Sequence, residues 1–347
     1  MSADFKKTLD TFMEEHYASN KNSGYLRITK NDDIIYENSI GYADIEKKIA
    51  FSKDSVFTFY SVSKPFCAMG LLKLYDAGLI DIDKSPGEYV PEASGFDKRV
   101  TVRHLLQHIS GIPDFVQSAK FQEKYKEGLY CHMREHLKEL SGYKMLFAPG
   151  EGEMYANVNY IICALIIENV SGQRYDEYMK KEVFMPLGMD TARIDYKGLT
   201  IENRVTGYEK INGEITEVDR DLNWLFGAGD IIGRADDMYC LNKAIKHKML
   251  LSEKTWQEVL TPSPLNSMGL GCTISMWHGK KRVTHNGGSR GFRTMHIQVL
   301  EDDFDIIYLS NCGWGEARGD YAEAVHDAIY GKDNIASGIV KMDTGYI

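Results

Sequence analysis

No apolar run of about 18 residues occurs anywhere in the chain, so no segment reads as a membrane-spanning helix. The N-terminus, Met1-Ser2-Ala3-Asp4-Phe5-Lys6-Lys7, lacks a charged-then-apolar leader. Lysine and arginine do not cluster. With a net charge of −9 and a pI near 5.6, the chain offers no nucleic-acid surface. Cysteine is sparse. The six residues (Cys67, Cys131, Cys163, Cys240, Cys272 and Cys312) are dispersed, mostly in apolar stretches, and form no CxxC pair. That usage points to reduced core thiols and, with the missing leader, to a cytoplasmic protein. Repeats and low-complexity stretches are also lacking.

What is there is an ordinary globular composition: 347 residues, 43% hydrophobic and 26% charged. That is enough chain for one large unit or two sub-domains around shared cores. Residues 2–20 carry a helical period. Strands are expected at 24–30 and 34–39 around Asn31-Asp32-Asp33, and a helix over 64–78 closed by Gly78. From 100 to 190 the pattern is largely helical, with a short helix from Thr101 to Ser110-Gly111 and a nearly all-apolar one over 158–170. Beyond 200 the period changes. Asn212-Gly213 joins a hairpin, and helices follow at 235–247 and 252–260. Strands are then expected at 268–277, 281–286, 292–300 and 304–311, and a helix at 316–330. The fold class is therefore α+β: an antiparallel sheet from the two ends of the chain, flanked by helices, plus a mainly helical lobe. The expected division is one unit over 1–330, its sheet part about 1–60 plus 200–330 and its lobe about 61–199, with a tail at 331–347.

One pair of residues stands out for its chemistry. Ser61 and Lys64, in Thr58-Phe59-Tyr60-Ser61-Val62-Ser63-Lys64, lie three apart at the opening of an apolar helix, where positions i and i+3 share a face. An amine beside a hydroxyl can take its proton and make it a nucleophile. SxxK by itself is weak, since Ser61 could simply cap the helix and Ser141/Lys144 repeats the spacing. That second pair straddles the end of a helix, so its side chains need not meet. Tyr155-Ala156-Asn157, in a polar loop before the apolar helix, adds a phenol able to share protons and an amide able to bind a carbonyl. Tyr36/Asn38 repeats that spacing in a hairpin strand, where period two explains it. His285-Asn286-Gly287-Gly288 closes one strand before another. Its glycines would let a substrate backbone approach, and the Gly288 N–H could face an oxyanion.

These three motifs, in this order, resemble the serine β-lactamase and penicillin-binding-protein family, in the branch holding class C β-lactamases, DD-peptidases, D-aminopeptidases and carboxylesterases. The likeness extends through VRHLLQHISG (102–111), Pro149-Gly150, EVFMPLGMD (182–190) and Gly227-Ala228-Gly229. It implies Ser61 as nucleophile and Lys64 with Tyr155 as a coupled acid–base pair. Asn157 would orient substrate, and the N–H groups of Ser61 and Gly288 would form the oxyanion hole. No metal and no cofactor is implied. The branch with Lys-Thr-Gly uses its lysine on a substrate carboxylate. Here that position is His285, mostly neutral at pH 7, and Asn286 replaces the threonine. Arg290 or Arg293 would then have to bind a carboxylate, unless none is needed. The expectation is thus a hydrolase of small esters, amides or peptides of D-amino acids, ahead of a class C-type β-lactamase or DD-carboxypeptidase. No nucleic-acid or membrane partner is expected, and oligomeric state stays open.

Three rival signals carry less. Gly287-Gly288-Ser289-Arg290-Gly291 spells GxSxG, but strand-like Phe292–Leu300 follows where a nucleophile elbow needs a helix. His132-Met133-Arg134-Glu135-His136 spells HxxEH, a zinc-peptidase pattern, yet its histidines read as a solvated face beside the stripe Leu129, Met133, Leu137 and Leu140. His104 and His108 are also four apart, with His108 read as a cap at a helix C-terminus. A non-catalytic binding module is the remaining class, opposed by the intact Ser61, Lys64 and Tyr155.

Overall fold

The computed structural model describes residues 3–19, 22–114, 133–196, 198–218, 225–314 and 317–331. Strands β1 (Gly24–Lys30) and β2 (Asp33–Ile40) turn tightly through Asn31 and Asp32, both left-handed at φ 52° and 66°. Near the other end lie β3 (Thr273–Trp277), β4 (Lys280–Ser289), β5 (Phe292–Val299) and β6 (Phe304–Ser310). They form one antiparallel sheet in the order β3-β4-β5-β6-β1-β2. The register Gly24↔Ser310 through Lys30↔Phe304 joins the first third of the chain to the last.

Helices among the described residues include α1 (Ala3–Ala18), α2 (Ser63–Asp76), α3 (Val102–Leu106), α4 (Met133–Leu140), α5 (Asn157–Ser171), α6 (Ala235–Lys246), α7 (Glu253–Val259) and α8 (Arg318–Tyr330), and a further helical stretch covers 175–187. Strand alternation divides them between the faces of the sheet. Met295, Ile297, Ile306 and Tyr308 bury one face against Phe5, Leu9 and Met13 of α1 and Tyr321 and Val325 of α8. Val283, Ile307 and Leu309, on the other face, join the larger core with Phe66 and Leu71 of α2, Ile161 and Ile162 of α5 and Leu241 of α6. Helix α5 is buried at ten successive positions, Val158 to Ile167, which is why its sequence shows no polar face. It stops at Gly172, whose left-handed φ of 67° lets its N–H reach Glu168 O.

A small three-stranded sheet matters for the site. Ile231–Gly233 pairs antiparallel with both Phe57–Thr58 and Arg193–Ile194. The backbone leading to Ser61 is therefore fixed against the loop at 227–230.

The α+β architecture is as expected, but several boundaries differ. The strand expected from 268 begins at Thr273, and the strand expected to stop at 286 runs on to Ser289. His285 through Gly288 thus lie inside β4, because two-residue turn chemistry at Arg290-Gly291 (φ 29° and 85°) lets pairing with β5 continue to Ser289↔Phe292. That same hairpin removes the helix GxSxG would require. The short helix after Thr101 ends at Leu106, well before Ser110. The tail from 332 onward lies outside the described residues. Cys67, Cys163, Cys240, Cys272 and Cys312 are buried free thiols, while Cys131 falls outside the description. No helix among the described residues is long and apolar enough to cross a membrane.

Candidate active site

Ser61 does not open an α-helix. It sits in a 3-10 turn, Tyr60–Val62, and α2 begins two residues later at Ser63. Tyr60 takes a left-handed φ of 47°, an unfavourable conformation for a bulky residue, which turns the chain so that Ser61 faces inward from the turn. The surrounding structure holds this geometry. Phe59 N–H donates to Ile231 O (2.9 Å), Ile231 N–H donates to Ser63 Oγ (3.0 Å), and Thr294 Oγ1 donates to Phe59 O (2.8 Å). Ser61 makes no capping bond, so the capping explanation of the serine fails.

Lys64 is wholly buried, and its Nζ meets three oxygens: Ser61 Oγ at 3.0 Å, Asn157 Oδ1 at 2.9 Å and Ala228 O at 2.6 Å. Burial pushes its pKa down from 10.5 to about 7, against the smaller opposing pull of Asp114 and Asp230. The Tyr155 ring lies with its centroid 4.8 Å from Nζ and stacks on His108 at 4.3 Å. SxxK and YxN therefore converge, as their order in the chain suggested.

His285 is buried beside this group, its ring 6.3 Å from that of Tyr155. Burial, and then the nearby Lys64, lower its pKa to about 3, so the ring is neutral at pH 7. Its Nδ1 lies 2.8 Å from Asn286 O, and a carbonyl only accepts, so Nδ1 carries the proton. Nε2 is left as a buried acceptor without a partner among the described residues. Strand β3 pairs with Lys280–Thr284, so among the described residues no strand continues along that edge of β4 from His285 onward. Antiparallel alternation from the Ser289↔Phe292 hairpin pair turns the Gly288 N–H and C=O toward that open edge. Gly287 passes tightly over the turn that carries Ser61. A Cβ there would lie 2.3 Å from Phe59 O and from Thr294 Oγ1, and 3.1 Å from Ser61 N. At Gly288 a Cβ would meet Arg293 Cδ at 3.0 Å.

The two arginines proposed for a carboxylate are placed differently. Arg290 is in the hairpin turn, and its partly buried guanidinium has a lowered pKa. Arg293 donates to the carbonyls of Phe292 (2.8 Å) and Gly313.

Sequence reasoning missed four contributors. Asp114 accepts from Asn157 N (2.8 Å) and Nδ2 (3.3 Å). Ala228 contributes a backbone carbonyl, which has no side-chain signature, although the flanking Gly227 and Gly229 mark a crowded loop: a Cβ on Gly227 would sit 2.6 Å from Ala164 Cβ. Arg318, at the start of α8, donates to Gly287 O at 2.9 Å. His108 is no charged helix cap. It is buried past the end of α3, its pKa falls well below 6.5 through burial, and its Nδ1 accepts from Ala156 N at 3.2 Å. The remaining motifs fall away from this centre. Tyr36 and Asn38 both donate to Asp10, and Ser141 Oγ donates to Lys138 O. His136 of the HxxEH run is buried rather than solvated, because α4 packs that side inward, while His132 is outside the described residues.

An antiparallel sheet, a helix pair and a half-buried serine on a buried lysine define a class of protein, and the comparisons agree. The chain belongs to the beta-lactamase family, whose model matches residues 5–329. Penicillin-binding protein 4* of Bacillus subtilis (strain 168) is 30% identical over 349 residues, covering 94% of this chain and 75% of that protein. Among solved structures, D-amino acid amidase from Ochrobactrum anthropi SV3 superposes with a TM-score of 0.81 at 21% identity, over 94% of this chain and 99% of that one. EstCE1, described as a hydrolase with promiscuous acyltransferase activity, does so at 0.79 and 18%, over 94% and 98%. At these identities the two structures establish the shared fold.

Proposed function

We propose that the protein is a serine hydrolase acting on small esters or amides through an acyl-enzyme on Ser61. The observation that carries this reading is the buried Lys64 amine 3.0 Å from Ser61 Oγ, with a pKa brought to about 7. As an ammonium, Lys64 places one hydrogen on each of its three acceptors. Once neutral, it keeps two on Asn157 Oδ1 and Ala228 O, and its lone pair faces the Ser61 hydroxyl. Ser61 Oγ then attacks the substrate carbonyl as its proton moves to Lys64. The oxyanion is received by the N–H groups of Ser61 and Gly288. Lys64, coupled to Tyr155, returns the proton to the departing alcohol or amine, and water repeats the sequence to release the acid.

The neutral His285 supports substrates without an essential carboxylate. Its unpartnered Nε2 suits a donor, such as the N–H of an amino-acid amide or peptide. The likeness to D-amino acid amidase and to EstCE1, a hydrolase with promiscuous acyltransferase activity, is consistent with that substrate range.

The test is a hydrolysis panel of nitrophenyl esters, D- and L-amino-acid amides, D-alanyl peptides and a chromogenic cephalosporin, run with peptide-mass mapping of a fluorophosphonate adduct. Ester or amide turnover with an adduct on the Ser61 peptide is expected. An adduct elsewhere, or turnover unaffected by Ser61→Ala, would remove Ser61 from the reaction. Fast cephalosporin turnover would overturn the substrate ranking.

A further inference from the structure

On the opposite face of the sheet from Lys64 lies a second group of chemically able side chains. The hairpin between β3 and β4 turns through His278 and Gly279 (φ 47° and 77°), a two-residue loop whose first position favours Asn, Asp or Gly. Its His278 meets Glu323 and His326 of α8, three apart and so on one helix face. The ligand-capable atoms of the three residues lie within 4.8 Å of one another. Along β4, Lys280 and Gly287 are seven residues apart, roughly 23 Å at strand rise, so this group is separate from the Ser61 site.

We propose that His278, Glu323 and His326 form a binding site for a divalent transition metal of the zinc type, clamping the β3–β4 hairpin to α8. Two imidazoles and one carboxylate are a donor set suited to zinc, with a water completing four-coordination. The carboxylate is already oriented. Trp277 Nε1 donates to Glu323 Oε1 at 2.8 Å, leaving Oε2 turned to His278 Nε2 at 2.7 Å. A ligand carboxylate held by an outer hydrogen-bond donor is a common way to fix metal geometry. The two imidazole rings stack with centroids 3.5 Å apart and planes 17° from parallel, so binding an ion would turn one ring about its side-chain torsions to bring both nitrogens onto it. Surrounding charge is mixed. Asp327 lies 3.5 Å from His326 Nδ1, while Arg282, held by Ser275 Oγ, sits over the Trp277 ring at 5.8 Å and opposes a cation. Lys280 is occupied by Asp302.

The test uses the untagged, metal-stripped full chain, titrated with Zn²⁺ against a chromophoric chelator and with Co²⁺ for its visible spectrum. The expected result is one ion per chain, a four-coordinate Co²⁺ spectrum and a Zn²⁺-dependent rise in unfolding temperature. Affinity should fall about tenfold or more in His278→Asn, which keeps the left-handed turn, and in Glu323→Gln and His326→Gln. Fluorophosphonate labelling of Ser61 should be unchanged in all three. Failure of the parent chain to take up micromolar Zn²⁺ would overturn the proposal. So would uptake of equal affinity in the three variants, which would place the ion elsewhere.

Discussion

Asp114 accepts two hydrogen bonds from Asn157 on one oxygen, from the backbone N at 2.8 Å and from Nδ2 at 3.3 Å. The second bond fixes which way the amide points, so that Oδ1 rather than Nδ2 faces Lys64 Nζ. The same carboxylate opposes the loss of charge on Lys64. Replacing Asp114 by Ala, which removes both the acceptor and the charge, should therefore have two effects. Asn157 loses its orientation, lowering kcat by roughly 10–100-fold. The Lys64 pKa also falls, moving the acid limb of the pH–rate profile to lower pH. A pH–rate profile checks both, and an unmoved limb would show that Asp114 does not act on Lys64.

Activity itself should rise with pH through about 7, as Lys64 loses its proton and becomes a base. His285, with its pKa near 3, adds no limb in the neutral range. Lys64→Arg keeps the charge but cannot release the proton, and activity should drop by about 10²–10⁴-fold at neutral pH. A limb that survives in His285→Gln identifies Lys64, while its loss there would transfer the titration to the histidine.

The depressed Lys64 pKa also makes stability depend on pH. Between about 7 and 10.5 the unfolded chain holds a proton on this lysine that the folded chain has released, so its contribution to stability rises with pH in that window. Below about 7 both states are protonated and the full cost of a buried ammonium is present. The difference in unfolding temperature between the parent and Lys64→Met should accordingly shift in the parent's favour from about pH 6 to about pH 9. Calorimetry at matched ionic strength reads this directly, and a pH-independent difference would contradict it.

The two glycines of the β4 motif should respond differently to alanine. At Gly287 the new methyl would press on Phe59 O and Thr294 Oγ1, both at 2.3 Å, pushing the strand off the Ser61 turn. Loss of activity with about 1–3 kcal/mol of destabilisation is expected, measured by denaturant unfolding. At Gly288 the nearest atom is the flexible Arg293 side chain, so Gly288→Ala should fold normally and retain the greater part of activity. Equal tolerance at both positions would mean β4 does not pack on the Ser61 turn as described.

Local chemistry in the sequence determined much of this protein. Spacing of three brought Ser61 and Lys64 together, turn residues closed the hairpins at Asn31-Asp32 and Asn212-Gly213, and apolar periods marked α2 and α5. Ordered motifs also named Tyr155 and Asn157, which lie against Lys64, and His285, whose ring lies beside that of Tyr155. These features are local or repeat a known order, which is why they are legible in one dimension. Tertiary structure alone decided what Lys64 is. Its depressed pKa arises from burial among Asn157, Ala228 O and the rings of Tyr155 and Tyr160, none adjacent in sequence. It also decided that Asp114 orients Asn157 and that His108 is a neutral ring supporting Tyr155. Desolvation and backbone acceptors depend on what packs overhead, and no spacing along a chain records that.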